Sequence, residues 1–262
     1  MTDAPTPPDA PGAPPAAPTM VVVAHGSRDP AARRALAVLL DRVRRLRPDV
    51  AVHPAHVELA EPLLDDALAA LRGPAVLVPL LLADGYHVKH DLPAAAARAA
   101  PLAVTVARPL GPHPLLAAAL HARLAEAGFR GAAATGRTGV VLAAAGSRDP
   151  DSAAATARTA ALLTARLDGV PVLPGYACAA RPTIPQAIAR LTARGIHRVA
   201  VASCFTAPGR FAAEAATAAP WLVSAPLGAH PALARLVVRR YEEALSRASA
   251  HRPPRAFAGA PG

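Results

Sequence analysis

The sequence predicts an α/β protein made of two tandem homologous Rossmann-like domains, each a parallel sheet with helices on both faces. Three observations lead to this prediction. Short apolar runs alternate with amphipathic stretches, the apolar runs contain almost no polar residue, and several motifs recur in the same order in the second half of the chain. Strands covered on both faces have this near-continuous apolar character, and strands separated by helices form parallel sheets.

The first half contains the predicted elements in order. Residues 20–24 form a buried strand that ends at the turn-like His25-Gly26-Ser27, and Asp29 with Pro30 begins an amphipathic helix as cap and first-turn proline. Further strands are predicted at 50–57, 75–82 and 102–107, and further helices at 62–71, 92–100 and 114–127.

An internal repeat divides the chain. The segment GSRDP at 26–30 returns at 146–150, Glu61-Pro62 corresponds to Arg181-Pro182, Gly85 to Gly209, and PLGPHP at 109–114 to PLGAHP at 226–231. Four landmarks in the same order indicate a duplication. We therefore expect homologous halves at residues 20–130 and 138–247, a disordered proline-rich leader at 1–19 and a flexible tail at 248–262.

Composition limits the function. The 262 residues carry a formal net charge of +10, which favours an anionic partner, but only 3% are aromatic, which disfavours nucleic acid. The longest apolar run, residues 75–83, is far shorter than the roughly 18 residues of a membrane span. Two cysteines form no disulfide framework or zinc motif, so a cytoplasmic protein is expected.

The repeat also serves as an internal control, because a polar residue present in only one copy is a candidate for chemistry. His25 corresponds to Ala145, Glu58 to Cys178 and His87 to Phe211. All three polar residues follow predicted strands, at the sheet edge where open parallel sheets bind ligands. Two imidazoles and a carboxylate suit a divalent first-row metal ion.

Each of the three residues also has a simpler interpretation: His25 as a helix cap, Glu58 as a solvated strand end, and His87 as a surface loop residue. Their joint loss in the second half favours the functional interpretation. His113 and His230 occur in both copies of PLGxHP and are expected to begin the last helix of each half. Ser27 lacks a nucleophile elbow, so a turn, a cap or a hydrogen bond to substrate is expected. Cys178 and Cys204 are expected to be buried.

Three segments carry a family resemblance: VVVAHGSRDP at 21–30, HVELAEP at 56–62 and VPLLLADGYHVKHDLP at 78–93. With these motifs the chain resembles the sirohydrochlorin chelatases of the CbiX and SirB type, class II chelatases whose long members are tandem duplications. The resemblance implies chelatase-like domains and insertion of Co2+ or Fe2+ into sirohydrochlorin, on the route to cobalamin or siroheme. It implies a metal site at His25, Glu58 and His87.

For such an enzyme we expect no permanently bound cofactor and a polycarboxylate tetrapyrrole as substrate. Candidate carboxylate partners are Arg28, Lys89, Arg148 and Arg210, with Ser27 as a further substrate contact. The duplication favours a monomer with an internal pseudo-dimer. A cobalt or nickel metallochaperone or a tetrapyrrole carrier using the same three residues remains the alternative, and a methyltransferase is less favoured because no glycine-rich cofactor loop is visible.

Overall fold

The computed structural model describes residues 17–130, 138–219 and 221–250, and in these the two sheets are parallel throughout. The first half contains β1 (Thr19–Ala24), α1 (Pro30–Leu46), β2 (Val52–His56), α2 (Leu64–Ala69), β3 (Ala75–Pro79), α3 (Leu92–Arg98), β4 (Val104–Val106) and α4 (Pro114–Glu126). The second half contains β5 (Thr138–Ala144), α5 (Pro150–Arg166), β6 (Val172–Tyr176), α6 (Ile184–Thr192), β7 (Arg198–Ser203), α7 (Arg210–Ala218), β8 (Leu222–Val223) and α8 (Pro231–Ala250).

The strand order is β2-β1-β3-β4 in the first sheet and β6-β5-β7-β8 in the second, so the two halves repeat one topology. This confirms the predicted fold class. The predicted strands and helices of the first half are all present, with ends that differ by up to three residues. A π-helical turn at His87–Asp91, which directly precedes α3, was not expected.

The predicted leader ends, and the predicted tail begins, inside regular structure. Thr19 is the first residue of β1, and α8 continues to Ala250, so the expected leader and tail boundaries at 19 and 248 were wrong. Tyr241 also donates a hydrogen bond from its hydroxyl to the carbonyl of Pro18, at 2.6 Å, which ties the start of the first strand to α8. Residues 1–16 of the predicted leader and 251–262 of the predicted tail lie outside the described residues.

The elements stack in five layers. Met20 and Val22 of β1 face a central helical layer, whereas Val21 and Val23 face α2 and α3 on the outside, because side chains alternate along a strand. The second sheet is arranged the same way, with α6 and α7 on its outer face. The central layer consists of α1, α4, α5 and α8, and its buried side chains form one core shared by both halves.

The last helix of each half crosses to the other half. Helix α4 follows the first sheet in sequence but packs against α5 and β7 of the second half, whereas α8 packs against α1, β3 and β4 of the first half. The two crossing helices also pack against each other. The halves are therefore intertwined, and each sheet depends on a helix from the other half for part of its cover.

Two arginines at equivalent repeat positions hold the crossing helices in place. Arg123 of α4 donates to the carbonyl of Leu227 through Nη2, at 2.8 Å, and through Nε, at 3.2 Å. Arg240 of α8 donates from Nη2 to the carbonyls of Leu110 and Pro112, at 3.1 and 3.3 Å. Both arginines therefore bind carbonyls in the PLGxHP motif of the opposite half, which gives this repeated motif a structural role.

We expect Arg240→Leu to lower the free energy of unfolding by about 2–3 kcal/mol, because hydrogen bonds from a charged group are lost and buried carbonyls lose a donor. Arg239→Leu is the matched control: Arg239 lies on the exposed side of α8 and pairs with Glu243, so a change of less than about 1 kcal/mol is expected. Urea denaturation of both variants measures the difference. Equal destabilisation by the two substitutions would contradict the role given to Arg240.

The two PLGxHP histidines begin the crossing helices, as predicted. Nδ1 of His113 accepts a hydrogen bond from the backbone N–H of Leu115 at 3.0 Å, and Nδ1 of His230 accepts one from Ala232 at 3.1 Å. Partial burial lowers the pKa of both imidazoles below their ordinary value. Because an accepting Nδ1 must be unprotonated, each cap requires the neutral ring.

A histidine whose pKa is lower in the folded than in the unfolded state stabilises the fold when the pH is above the unfolded pKa of about 6.5. This contribution is lost as the pH falls through the lower pKa of the folded state. We therefore expect the Tm to fall between pH 7.5 and 5.5. The double variant His113→Asn/His230→Asn should show a smaller fall, because asparagine caps a helix without titrating. His197→Asn, at an exposed loop position, is the control. If the Tm of the double variant falls as much between pH 7.5 and 5.5 as that of the unaltered protein, His113 and His230 are not the origin of the pH dependence.

Candidate active site

The three residues isolated by the repeat lie together at the carboxyl edge of the first sheet. His25 directly follows β1, Glu58 follows β2, and His87 begins the π-helical turn after β3. The order β2-β1-β3-β4 reverses direction at β1, and such a switch point opens a crevice at the strand ends. Because of this topology, residues that are distant in sequence lie close together at the sheet edge.

A close backbone contact holds His25 beside Glu58. The backbone N–H of Glu58 donates to the carbonyl of His25 at 2.9 Å. Gly26 lies between them with a φ of +107°, and a Cβ at this position would come within 1.6 Å of the Glu58 carbonyl oxygen. Only glycine fits here, both for its backbone conformation and for the absence of a side chain.

The side chains form a chain of contacts centred on His25. Its Nδ1 lies 3.5 Å from Oε1 of Glu58, and its ring centroid lies 5.1 Å from that of His87. The side chains of His25 and Glu58 are about half exposed, at 51% and 54%. Within the described ranges, no three His, Cys, Asp or Glu side chains lie close enough together to hold a metal ion in this conformation. Side-chain movement would be needed to bring His25, Glu58 and His87 to one ion.

The second half reproduces the backbone of this site without its two histidines and its glutamate. Gly146 has a φ of +96° and its Cβ would lie 2.0 Å from the carbonyl oxygen of Cys178, as at Gly26 and Glu58. The prediction that Cys178 is buried was wrong: the side chain is exposed, because it occupies the strand-end position of Glu58, and its Sγ donates to the carbonyl of Ala145 at 3.2 Å. Cys204 is buried as expected, and burial raises the pKa of its thiol to about 12.

A cleft of about 700 Å³ connects these two edges. Its walls come from both halves, including His25, Tyr86 and His87 on one side and Cys178 and Phe211 on the other. The chain has only eight aromatic residues, and three of them, Tyr86, Phe205 and Phe211, line this cleft. Leu59, which is half exposed, adds a further apolar side chain. The cleft therefore presents flat apolar surface beside the candidate ligands.

The predicted basic residues fall into two groups. Lys89 forms a bridge between the halves: its Nζ lies 2.6 Å from carboxylate oxygens of both Asp149 and Asp151, and hydrogen bonds to these groups raise the pKa of Lys89 to about 12. The ammonium group of Lys89 is therefore paired with carboxylates of the protein itself. Arg28 and Arg148 are exposed in the equivalent loops of the two halves.

Arg210 lines the cleft and lies over the ring of Phe211, with 4.7 Å between its Cζ and the ring centroid. Its closest carboxylate contact, to Glu214, is long at 3.9 Å. Arg28 and Arg210 also line an adjoining depression that shares Ser27 and Leu59 with the cleft. Exposed guanidinium groups therefore border the apolar cleft.

Ser27 stabilises the loop that follows β1. Its Oγ accepts a hydrogen bond from the N–H of Asp29 at 3.1 Å, and the carboxylate of Asp29 in turn caps α1. Ser147 makes the same contact to Asp149 in the other half. The turn role expected of Ser27 is therefore present, and the residue also lines the cleft.

Sequence reasoning missed Asp91, whose Oδ2 lies 2.6 Å from Nδ1 of His87. The available signal was the four-residue spacing of the two side chains. Tyr86, which is 65% exposed and lines the cleft, was also missed.

No helix in the described part of the chain is long and apolar enough to cross a membrane.

Comparison with known proteins agrees with the observed fold. The solved structure of SirB from Bacillus subtilis with Fe3+ superposes with a TM-score of 0.71 at 22% identity, covering 89% of this chain and 97% of SirB. A sirohydrochlorin cobaltochelatase of Methanosarcina acetivorans is 31% identical over 78 residues, which are 28% of this chain and 60% of that protein.

The chloroplastic sirohydrochlorin ferrochelatase of Arabidopsis thaliana is 35% identical over 109 residues, which are 37% of this chain and 47% of that protein. The chain thus spans about half to 60% of the length of these two relatives. The family model CbiX matches both halves, at residues 19–127 and 139–244. Because these matches cover most of the chain, the protein belongs to the CbiX family.

Proposed function

We propose that this protein is a sirohydrochlorin chelatase, which inserts Co2+ or Fe2+ into sirohydrochlorin. One observation carries the proposal: His25 and His87 line a cleft at the sheet edge of one half, with Glu58 beside His25, and the equivalent positions on the opposite wall hold no histidine or carboxylate. The names of the Methanosarcina and Arabidopsis relatives support the reaction. The metal ion is a substrate here and leaves with the product.

The shape and lining of the cleft suit a flat macrocycle. A volume of about 700 Å³ falls in the range of small-molecule sites, and the Tyr86 and Phe211 rings supply apolar surface from opposite halves. A tetrapyrrole between them has its ring nitrogens facing His25 and His87. Its carboxylates extend to the rim, where Arg28, Arg148 and Arg210 supply guanidinium groups.

The proposed chemistry exchanges two protons for one metal ion. Two pyrrole N–H bonds break, four nitrogen–metal bonds form, and both protons finally pass to water. Neutral imidazoles at His25 and His87 bind a divalent ion and release it again, since they hold cobalt or iron less tightly than thiolates hold soft metals. Glu58, beside the incoming ion, balances its charge and accepts a pyrrole proton.

The two halves have different proposed roles. Residues 20–130 carry the metal ligands, and residues 138–247 form a degenerate half that closes the macrocycle site. The crossing helices α4 and α8 already join the halves as a pseudo-dimer within one chain, so we propose a monomer. Cobalt and iron remain alternative substrates, because imidazole and carboxylate ligands serve both ions.

Replacing His87 with alanine should reduce metal insertion to the uncatalysed rate, because a ligand is lost. Glu58→Gln should lower the rate about 100-fold or more, since the amide has the size of the carboxylate but accepts no proton. Absorbance spectra of sirohydrochlorin with Co2+ or Fe2+ follow the reaction. His53→Ala, at an exposed position on β2, is the matched control and should retain the full rate.

The same assay separates the chelatase from its alternative. A metallochaperone or tetrapyrrole carrier would bind Co2+ or sirohydrochlorin without accelerating their combination. Full activity in folded His87→Ala protein would overturn the assigned site, whereas binding without turnover in the unaltered protein would overturn the proposed reaction. Circular dichroism of each variant establishes that its fold is retained.

Phe211→Ala should raise the KM for sirohydrochlorin about 2- to 10-fold with little change in kcat. The ring contacts the face of the macrocycle equally in the ground and transition states, and an aromatic contact of this kind contributes about 0.5–1.5 kcal/mol. Phe211→Leu, which keeps an apolar side chain, should show a smaller effect. A KM that is unchanged in Phe211→Ala would exclude Phe211 from the macrocycle site.

A further inference from the structure

The contact between His87 and Asp91 is the shortest histidine–carboxylate contact among the described residues. Nδ1 of His87 and Oδ2 of Asp91 are 2.6 Å apart, and both side chains are partly exposed, at 35% and 40%. An ionised carboxylate only accepts hydrogen bonds, so Nδ1 of His87 is the donor. In the neutral ring this leaves Nε2 with a free lone pair, which is the form that binds a metal ion.

The π-helical turn brings the two side chains together. The backbone N–H of Leu92 bonds to the carbonyl of His87, five residues earlier, so the turn is wider than an α-helical turn. It leads directly into α3, where the fully buried Leu92 anchors the turn against the sheet. The pair is therefore mounted on a fixed element rather than on a free loop.

Asp91 lies inside a continuous helical segment, because the π-helical turn runs directly into α3 and Asp91 has helical backbone angles, φ −69° and ψ −44°. Its carboxylate makes no hydrogen bond to the backbone of α3. Asp29 and Asp149, by contrast, cap α1 and α5 with their side chains. The carboxylate of Asp91 is used for His87 instead.

The repeat supports a link between Asp91 and the ligand set. The offset of 124 residues that relates His87 to Phe211 relates Asp91 to Ala215, a fully buried residue of α7. Asp91 is therefore absent from the half that lacks the ligands. The backbone contacts that build the strand-end loops are kept in that half, as at Gly146.

We infer that Asp91 is a positioning residue, which holds His87 in the tautomer and orientation that direct Nε2 to the metal ion without contacting the ion itself. Carboxylates behind metal-binding histidines fix the ring and increase its basicity, and their removal weakens metal binding about 10- to 100-fold. The inference rests on the proposed function only in assigning His87 to the metal ion.

Equilibrium titration of the full chain with Co2+ in the absence of tetrapyrrole, followed by the visible absorption of the bound ion, tests this role. Asp91→Ala should weaken Co2+ binding about 10- to 100-fold. Asp91→Asn should weaken it less, because the amide oxygen still accepts from Nδ1–H. Asp84→Ala removes the same charge three residues before His87 and should leave Co2+ affinity unchanged.

The double variant distinguishes positioning from a general structural effect. If Asp91 acts through His87, adding Asp91→Ala to His87→Ala should change Co2+ affinity by less than about twofold, because coupled residues are not additive. The inference is overturned if Asp91→Ala weakens Co2+ binding as much in the His87→Ala background as alone. It is also overturned if Asp91→Ala alone has no effect on Co2+ affinity, or if the unaltered protein binds no Co2+. If Co2+ binding depends on Asp91 but the protein inserts no metal into a tetrapyrrole, the inference stands and only the proposed reaction is overturned.

Discussion

The exchange of the last helices between the two halves is the constraint on which the rest of the structure depends. Helix α4 covers the second sheet and α8 the first, and Arg123 and Arg240 fasten each helix to carbonyls of the opposite PLGxHP motif. Because both sheets share this central layer, their carboxyl edges are held at a fixed separation across the cleft. The site needs this arrangement, since its two walls belong to different halves.

The sequence predicted the elements of the fold but not the crossing of its helices. Apolar periodicity located the strands and helices of the first half, and the repeated PLGxHP motif showed where the last helix of each half begins. An apolar helix face does not specify which of two equivalent sheets it will cover. That choice depends on the geometry between the halves, including buried contacts such as Arg240 to Leu110, for which the sequence holds no local signal.

Comparing the two copies grouped His25, Glu58 and His87, because a shared scaffold makes missing polar residues visible. The same comparison applied to Asp91 and Ala215 would have revealed the partner of His87. The partners of Lys89 were harder to predict, because they are carboxylates of the other half and become neighbours only when the halves pack together. Cys178 was misjudged because cysteine is usually buried, whereas its position at the rim decides its exposure.

The two walls of the cleft are chemically different because only one of them carries the candidate histidine ligands. His25 and His87 lie on one wall, whereas the other presents an exposed thiol at Cys178 and the ring of Phe211. A planar guest between these walls would receive an ion through one of its faces only. Under the proposed function the two copies therefore have different roles, which two identical copies could not have: the first would deliver the ion to one face of the guest, and the second would cover the opposite face.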